Sequence, residues 1–266
     1  MIANVLTIAG TDPTGGAGIQ ADLKTFSALG AYGMTVVTAV VAQNTQGVRA
    51  FEALSPSFIT AQIDAVFDDV RVDAVKIGMV ANAGIAEAIA AALQRHEARH
   101  VVLDPVMIAK SGDRLLSEDA VAAVRDRLVP LAEIVTPNLP EAAALLDAAE
   151  PADLAGAIEM ARTLKMLGPA SVFLKGGHAE GPESIDVYFD GETMETFRAA
   201  RIATKNTHGT GCTLSAAIAA LLPSMPRLEA VGRAKTYLTG ALAAADDLDV
   251  GSGHGPLHHF FDVWER

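Results

Sequence analysis

Hydrophobic positions along the chain gather into short continuous runs separated by longer stretches with helical spacing. The runs at 4–9, 34–42, 74–79, 100–106, 134–137 and 171–176 predict strands. Their lack of strict alternation is the pattern of parallel strands covered on both faces. Between them, Phe58, Ile63, Val66 and Phe67 share one helical face, as do Ile85, Ile89 and Leu93. Ser55 ahead of Pro56 supplies a cap and a first-turn proline. Runs at 184–189 and 193–198 around Asp190-Gly191 predict a hairpin. That hairpin counts against a closed eight-fold barrel, because it adds antiparallel strands to a parallel series. Two helices at about 208–222 and 227–246 follow, and then a tail rich in glycine and histidine. The succession predicts an α/β fold with a doubly wound parallel sheet, as one domain over residues 1–266.

Composition narrows the class. Twenty Lys+Arg stand against 32 Asp+Glu, a formal net charge of −12. That balance argues against a nucleic-acid-coating surface. A single cysteine among 266 residues leaves no internal disulfide and suits a reducing compartment. The sequence has no run of about 20 uncharged apolar residues, so no membrane span is expected. A soluble, cytoplasmic protein is the expectation.

Three glycine-rich places adjoin these elements, where α/β folds put ligands. The first, 10–18, follows the first strand and contains Gly16-x-Gly18-x-x-Ala21, a partial match to a dinucleotide fingerprint. The turn is too long for that motif, and Gln43-Asn44 stands where a ribose-binding acid belongs. The second, Asn206-Thr207-His208-Gly209-Thr210-Gly211-Cys212-Thr213, opens an apolar helix whose free amides suit a phosphate. Cys212 in that first turn is expected to have a lowered pKa. The third is a set of strand ends carrying Asp104, Asn138 with Glu141, and Lys175. Oxygen donors of the Asp104, Asn138 and Glu141 kind suit Mg²⁺, and a strand-end lysine can hold phosphate. Together they point to phosphoryl transfer from ATP. The histidines lack zinc-site spacing.

The blocks 7–26, 41–45, 76–79, 136–141, 175–178 and 205–213, with a terminal Gly-Pro-Leu-His-His, occur in one order along almost the whole chain. In these the chain resembles the ribokinase-like superfamily and, within it, the hydroxymethylpyrimidine/phosphomethylpyrimidine kinases of thiamine biosynthesis. The resemblance implies a three-layer fold with a mostly parallel central sheet, helices on both faces and a small hairpin insert. It also implies ATP and Mg²⁺ as cofactors, a small aminopyrimidine alcohol and its monophosphate as substrates, and a homodimer. By motif position it sets Gly10, Asp22, Gln43, Met79 and Val106 at the pyrimidine. There the Gln43 amide matches a donor–acceptor edge and Met79 an apolar ring face. Gly209, Thr210, Gly211 and Cys212 are implied at the transferring phosphoryl group, with Cys212 as proton acceptor. Asn138, Glu141, Lys175 and Thr207 are implied at the nucleotide. A pyridoxal kinase on the same scaffold is the alternative. A nicotinamide-dependent oxidoreductase and a non-catalytic nucleotide-binding regulator are further rivals.

Overall fold

Alternate residues of the strands face two separate cores. In the computed structural model, which describes residues 1–107, 117–177 and 182–264, Leu6, Val75, Leu103, Val135 and Val172 pack into one apolar cluster. Their strand neighbours Val5, Ala74, Val102, Ile134 and Phe173 pack into the other. The strands therefore read as unbroken apolar runs because both faces are covered.

The elements run β1 (Asn4–Ala9), α1 (Gly18–Ala28), β2 (Tyr32–Val37), β3 (Ala39–Asn44), β4 (Gly47–Ala53), α2 (Pro56–Phe67), β5 (Ala74–Ile77) and α3 (Ala83–Arg95). Then come β6 (Val101–Leu103), α4 (Glu118–Ala123), β7 (Ile134–Val135), α5 (Leu139–Leu146), α6 (Leu154–Lys165) and β8 (Ser171–Leu174). The described chain finishes with β9 (Glu183–Phe189), β10 (Met194–Ala200), α7 (Thr210–Leu221) and α8 (Arg227–Ala243). The main sheet has the order β10-β9-β8-β7-β6-β5-β1-β2. The six strands from β2 to β8 are parallel, and β9 and β10 extend one edge antiparallel. The expected hairpin is thus part of the main sheet. Helices α1, α7 and α8 cover one face; α2 through α6 cover the other. The three-layer, mostly parallel architecture follows.

Two expectations need correction. The run 34–42 is not one strand but two: it breaks at Thr38, whose N–H donates to Ala9 O and whose hydroxyl donates to Met79 O. Beyond that break β3 leaves the main sheet and pairs with β4 in a separate antiparallel ribbon. Phe58 does not join the buried face of α2, being 57% exposed; Ile59 and Ile63 form that face instead. The cap was placed correctly, since the Ser55 hydroxyl accepts from Phe58 N–H. Ile85, Ile89 and Leu93 are buried as the spacing of α3 predicts.

Candidate active site

Five neighbouring strands each place a polar residue two positions after an apolar residue of the α1/α7 core. Val5 is followed by Thr7, Ala74 by Lys76, Val102 by Asp104, Ile134 by Thr136 and Phe173 by Lys175. The period of two keeps each pair on one face. Polar groups therefore line the carboxyl ends of the strands beneath α1 and α7, where open α/β sheets place ligands.

Lys175 and Asp104 form the centre of this row. Lys175 Nζ lies 2.8 Å from Asp104 Oδ1 and 3.8 Å from Glu141 Oε2. The Thr136 and Ser215 hydroxyls also donate to Asp104. Burial alone would push the Asp104 carboxyl up, but the Lys175 and Lys76 ammoniums and these hydrogen bonds hold it below its usual range. Burial likewise acts to lower Lys175, and the two carboxylates outweigh it and raise it. Burial dominates at Glu141 and pushes it up to about 7, with the Asp104 charge adding to that rise against the pull of Lys175.

Asn138 and Glu141 make a capping box on α5: Asn138 Oδ1 accepts from Glu141 N–H, and Glu141 Oε2 accepts from Asn138 N–H, both at 2.8 Å. Both residues, expected as metal ligands, are thus engaged in building the helix start. Among the described residues no group of three or more His, Cys, Asp or Glu converges as a ready metal cage. Even so, two buried acids share one lysine, so the cluster lacks positive charge. That deficit and its hard oxygen donors fit Mg²⁺ held largely through water.

The second glycine turn sits directly against this row. Gly209 caps α7 with φ +80°, and helix geometry leaves the Gly211 and Cys212 N–H groups without intrahelical acceptors. A Cβ on Gly211 would lie 3.3 Å from Lys175 Nζ and 3.4 Å from Asp104 Oδ2. The open amides and the lysine therefore share one space. Thr207 and Thr210 brace the turn, Thr210 Oγ1 donating to Thr207 O at 2.6 Å.

The first glycine turn closes the other side, and its organiser is a residue that sequence reasoning missed. Asp12 accepts from the N–H groups of Thr14, Gly16 and Ala17, from the Thr14 hydroxyl, and pairs with His208 Nε2 at 2.8 Å. Burial would raise its carboxyl, but the bonds from His208 and Thr14 prevail and hold it far below the usual range. The available signal was an Asp heading a Gly-Gly-Ala-Gly turn that opens a helix. The tail locks the same region: Gly255 N–H donates to Asn206 Oδ1, and His208 N–H donates to Gly255 O.

The expected pyrimidine residues are only partly together. A Cβ on Gly10 would meet Met79 Sδ at 3.1 Å and Val41 at 3.6 Å, so Gly10 and Met79 share a wall. Gln43 is half-buried at the β3 irregularity, and Val106, half-buried, follows Asp104, whose carbonyl accepts its N–H. Asp22 departs from the expectation. Fully buried, it accepts from Thr7 Oγ1 at 2.6 Å and pairs with Lys76 Nζ at 2.9 Å. It lies beneath the floor rather than on it.

Cys212 is also corrected. Partly exposed at the turn, its thiol is pushed up to about 11 by burial, with the Asp22 and Asp104 charges adding to that and Lys76 and the Gly18 N–H opposing. Desolvation exceeds the helix-start effect that predicted a lowered pKa. His178, part of the quoted 175–178 block, lies outside the described residues.

The match that decides the family spans residues 12–258, which fit the phosphomethylpyrimidine kinase model. The chain belongs to the phosphomethylpyrimidine kinase family. It is 57% identical to the hydroxymethylpyrimidine/phosphomethylpyrimidine kinase of Escherichia coli, with 98% of each chain covered. Among solved structures, a phosphomethylpyrimidine kinase of Clostridium difficile matches at 42% identity and a TM-score of 0.81, over 90% of this chain and 99% of that one. A Bacillus subtilis pyridoxal kinase in complex with ADP matches at 37% identity and a TM-score of 0.90, over 97% and 98%. The family scaffold is thus shared with kinases of a second flat-ring alcohol.

Proposed function

We propose that the protein, acting as one kinase unit, uses ATP and Mg²⁺ to phosphorylate the hydroxymethyl group of 4-amino-5-hydroxymethyl-2-methylpyrimidine. It then phosphorylates the resulting monophosphate to the diphosphate, for thiamine biosynthesis. The observation that carries this reading is the meeting of the α7 amide turn with the Lys175–Asp104 pair, beside a wall containing Gly10 and Met79.

Each part has a task in such a transfer. The Gly211 and Cys212 amides and Lys175 neutralise charge on the phosphoryl group as it moves, an effect worth most where water is excluded. Asp104 holds Lys175 in place. Asp104 and Glu141 are the oxygen donors that would hold Mg²⁺, directly or through water, and the ion would supply neutralising charge for the nucleotide phosphates. Gln43, with no side-chain partner among the described residues, offers its amide to the aminopyrimidine edge, and Met79 and Val106 offer apolar contact. Cys212 accepts the alcohol proton; its raised pKa makes the thiolate scarce but strongly basic. A groove of about 480 Å³ lined by residues including Ala203, Lys205, Asn206 and Leu248 adjoins the amide turn and offers room for the nucleoside end of ATP.

A homodimer in the cytoplasm completes the reading. No described helix is long and apolar enough to cross a membrane. Val40 and Phe51 on the β3–β4 ribbon are exposed, as is Tyr32 on the edge strand β2, and a second copy would cover them.

Pyridoxal kinase activity is the second reading, favoured by the likeness to the Bacillus subtilis enzyme. Incubation with ATP, Mg²⁺ and each alcohol, with products identified by mass, decides. Pyrimidine mono- and diphosphate are expected. Pyridoxal phosphate as the sole product would replace the substrate, and no ADP with any alcohol would remove the kinase.

A further inference from the structure

A buried ion pair with no part in the proposed transfer lies on the β9 side of Lys175, opposite the strand that leads to Asp104. Asp186 on β9 and Lys235 on α8 are both buried, and Lys235 Nζ lies 2.6 Å from Asp186 Oδ2. Lys235 Nζ also reaches Ser184 Oγ at 3.2 Å. Such a pair gains little for stability by itself, because the cost of desolvating two charges offsets their attraction.

The second carboxylate oxygen supplies a different reason. Asp186 Oδ1 accepts from Gly176 N–H at 2.8 Å, and Gly176 directly follows Lys175. β8 and β9 pair as far as Leu174 and Val187; the same register, extended, sets Gly176 opposite Ile185. The two backbones stay in touch there, since a Cβ on Gly176 would fall 1.8 Å from Ile185 O. The Gly176 amide nevertheless goes to the Asp186 side chain. On the other flank, Lys175 N–H donates to Pro137 O at 2.8 Å. The peptide planes before and after the Lys175 Cα are therefore both held, one by main chain and one by a carboxylate. Fixing two planar peptides fixes the φ and ψ between them, and with those the direction in which the side chain leaves the strand.

We propose that Asp186 and Lys235 are positioning residues for Lys175. The carboxylate holds the Gly176 amide, the α8 ammonium holds the carboxylate, and together they aim Lys175 at Asp104 and the amide turn. This rests on Lys175 as the charge that meets the moving phosphoryl group in the proposed reaction. It concerns where that ammonium sits, which is also measured without turnover. A misplacement of about 1 Å at a reacting centre can cost about 10²-fold in rate, so a hydrogen bond outside the site can govern the chemistry within it.

Two double variants separate positioning from packing. Asp186→Leu/Lys235→Met removes both charges without stranding either, and leaves Gly176 N–H without its acceptor. Its kcat is expected to fall about 10–10²-fold, with a much smaller change in KM. Asp186→Asn/Lys235→Met loses the same ion pair but keeps an acceptor for Gly176, and should recover most of kcat. A merely structural pair would impair both alike. The ¹⁵N resonance of the Lys175 ammonium, assigned by its loss in Lys175→Met, gives the reading that needs no turnover. It is expected to shift in the Leu/Met variant and to stay near the wild-type position in the Asn/Met variant. An unmoved resonance in the folded Leu/Met variant overturns the proposal, as does an Asn/Met variant as impaired as the Leu/Met one. If the Leu/Met variant does not fold, Asp186→Ser/Lys235→Met replaces it with the same expectations, because a hydroxyl is one atom too short to reach Gly176. Kinase activity absent from the wild type would remove the proposed function, and the resonance would still decide this inference.

Discussion

His208 Nε2 lies 2.8 Å from Asp12 Oδ2, so one bond joins the turn after β1 to the turn before α7 across 196 positions of sequence. The contact is reinforced by backbone, because a Cβ on Gly209 would fall 1.8 Å from Gly16 O. The two turns act as one piece. His208→Ala is expected to cost about 1–3 kcal/mol of stability, the typical loss when a buried acceptor loses its partner. Asp12→Ala should cost more, since three N–H groups lose their acceptor with it. Urea denaturation of both variants tests the order, and equal losses would contradict it.

Lys175→Met leaves Asp104 and Glu141 facing each other without the intervening ammonium. We expect kcat to fall by about 10²–10³, the scale for losing one preorganised charge in a closed site, with a smaller change in KM. Chelation of Mg²⁺ by EDTA should abolish turnover, and excess Mg²⁺ should restore it. Turnover that persists in EDTA would remove the metal from the reaction.

His259 gives a stability signature in acid. Burial, with the Lys24 and His258 charges, pushes its imidazole from 6.5 down to about 4, and Thr213 Oγ1 lies 3.0 Å from its Nε2. Because the folded-state value is depressed, its contribution is complete above about pH 6.5 and is lost as pH falls through 4. Between those limits the stability advantage of wild type over His259→Gln should shrink by up to about 3 kcal/mol. Denaturation curves at pH 7 and pH 4.5 measure it; parallel profiles for the two proteins would refute the assignment.

Phe51→Glu and Val40→Glu place charges on the exposed ribbon without touching either core. If a second copy covers that face, sedimentation velocity should show wild-type dimer and variant monomer. A monomeric wild type would end the proposal.

The sequence disclosed the sheet better than the ribbon, for a physical reason. Parallel strands buried on both faces are apolar throughout, so β1 was legible to the residue. The break at Thr38 depends on bonds to Ala9 and Met79, which no local pattern contains. Phe58 looked like core because hydrophobicity alone does not choose between positions 58 and 59. In the site, Asp104, Lys175 and the amide turn were legible as strand ends and a helix start. Asp12 and Lys76 were not, since each acquires its meaning from partners far along the chain. Cys212 misled because the helix-start rule assumes a solvated thiol, and here desolvation is the larger effect.

The tail residues around Gly255 carry a consequence for biogenesis. They close on Asn206, His208 and Thr45, so turns made earlier are braced by a segment made much later. Contacts this distant in sequence form late and slowly. The phosphate turn gains its full bracing only once Gly255 and Pro256 are in place, so competence for catalysis arrives in one step rather than growing with chain length.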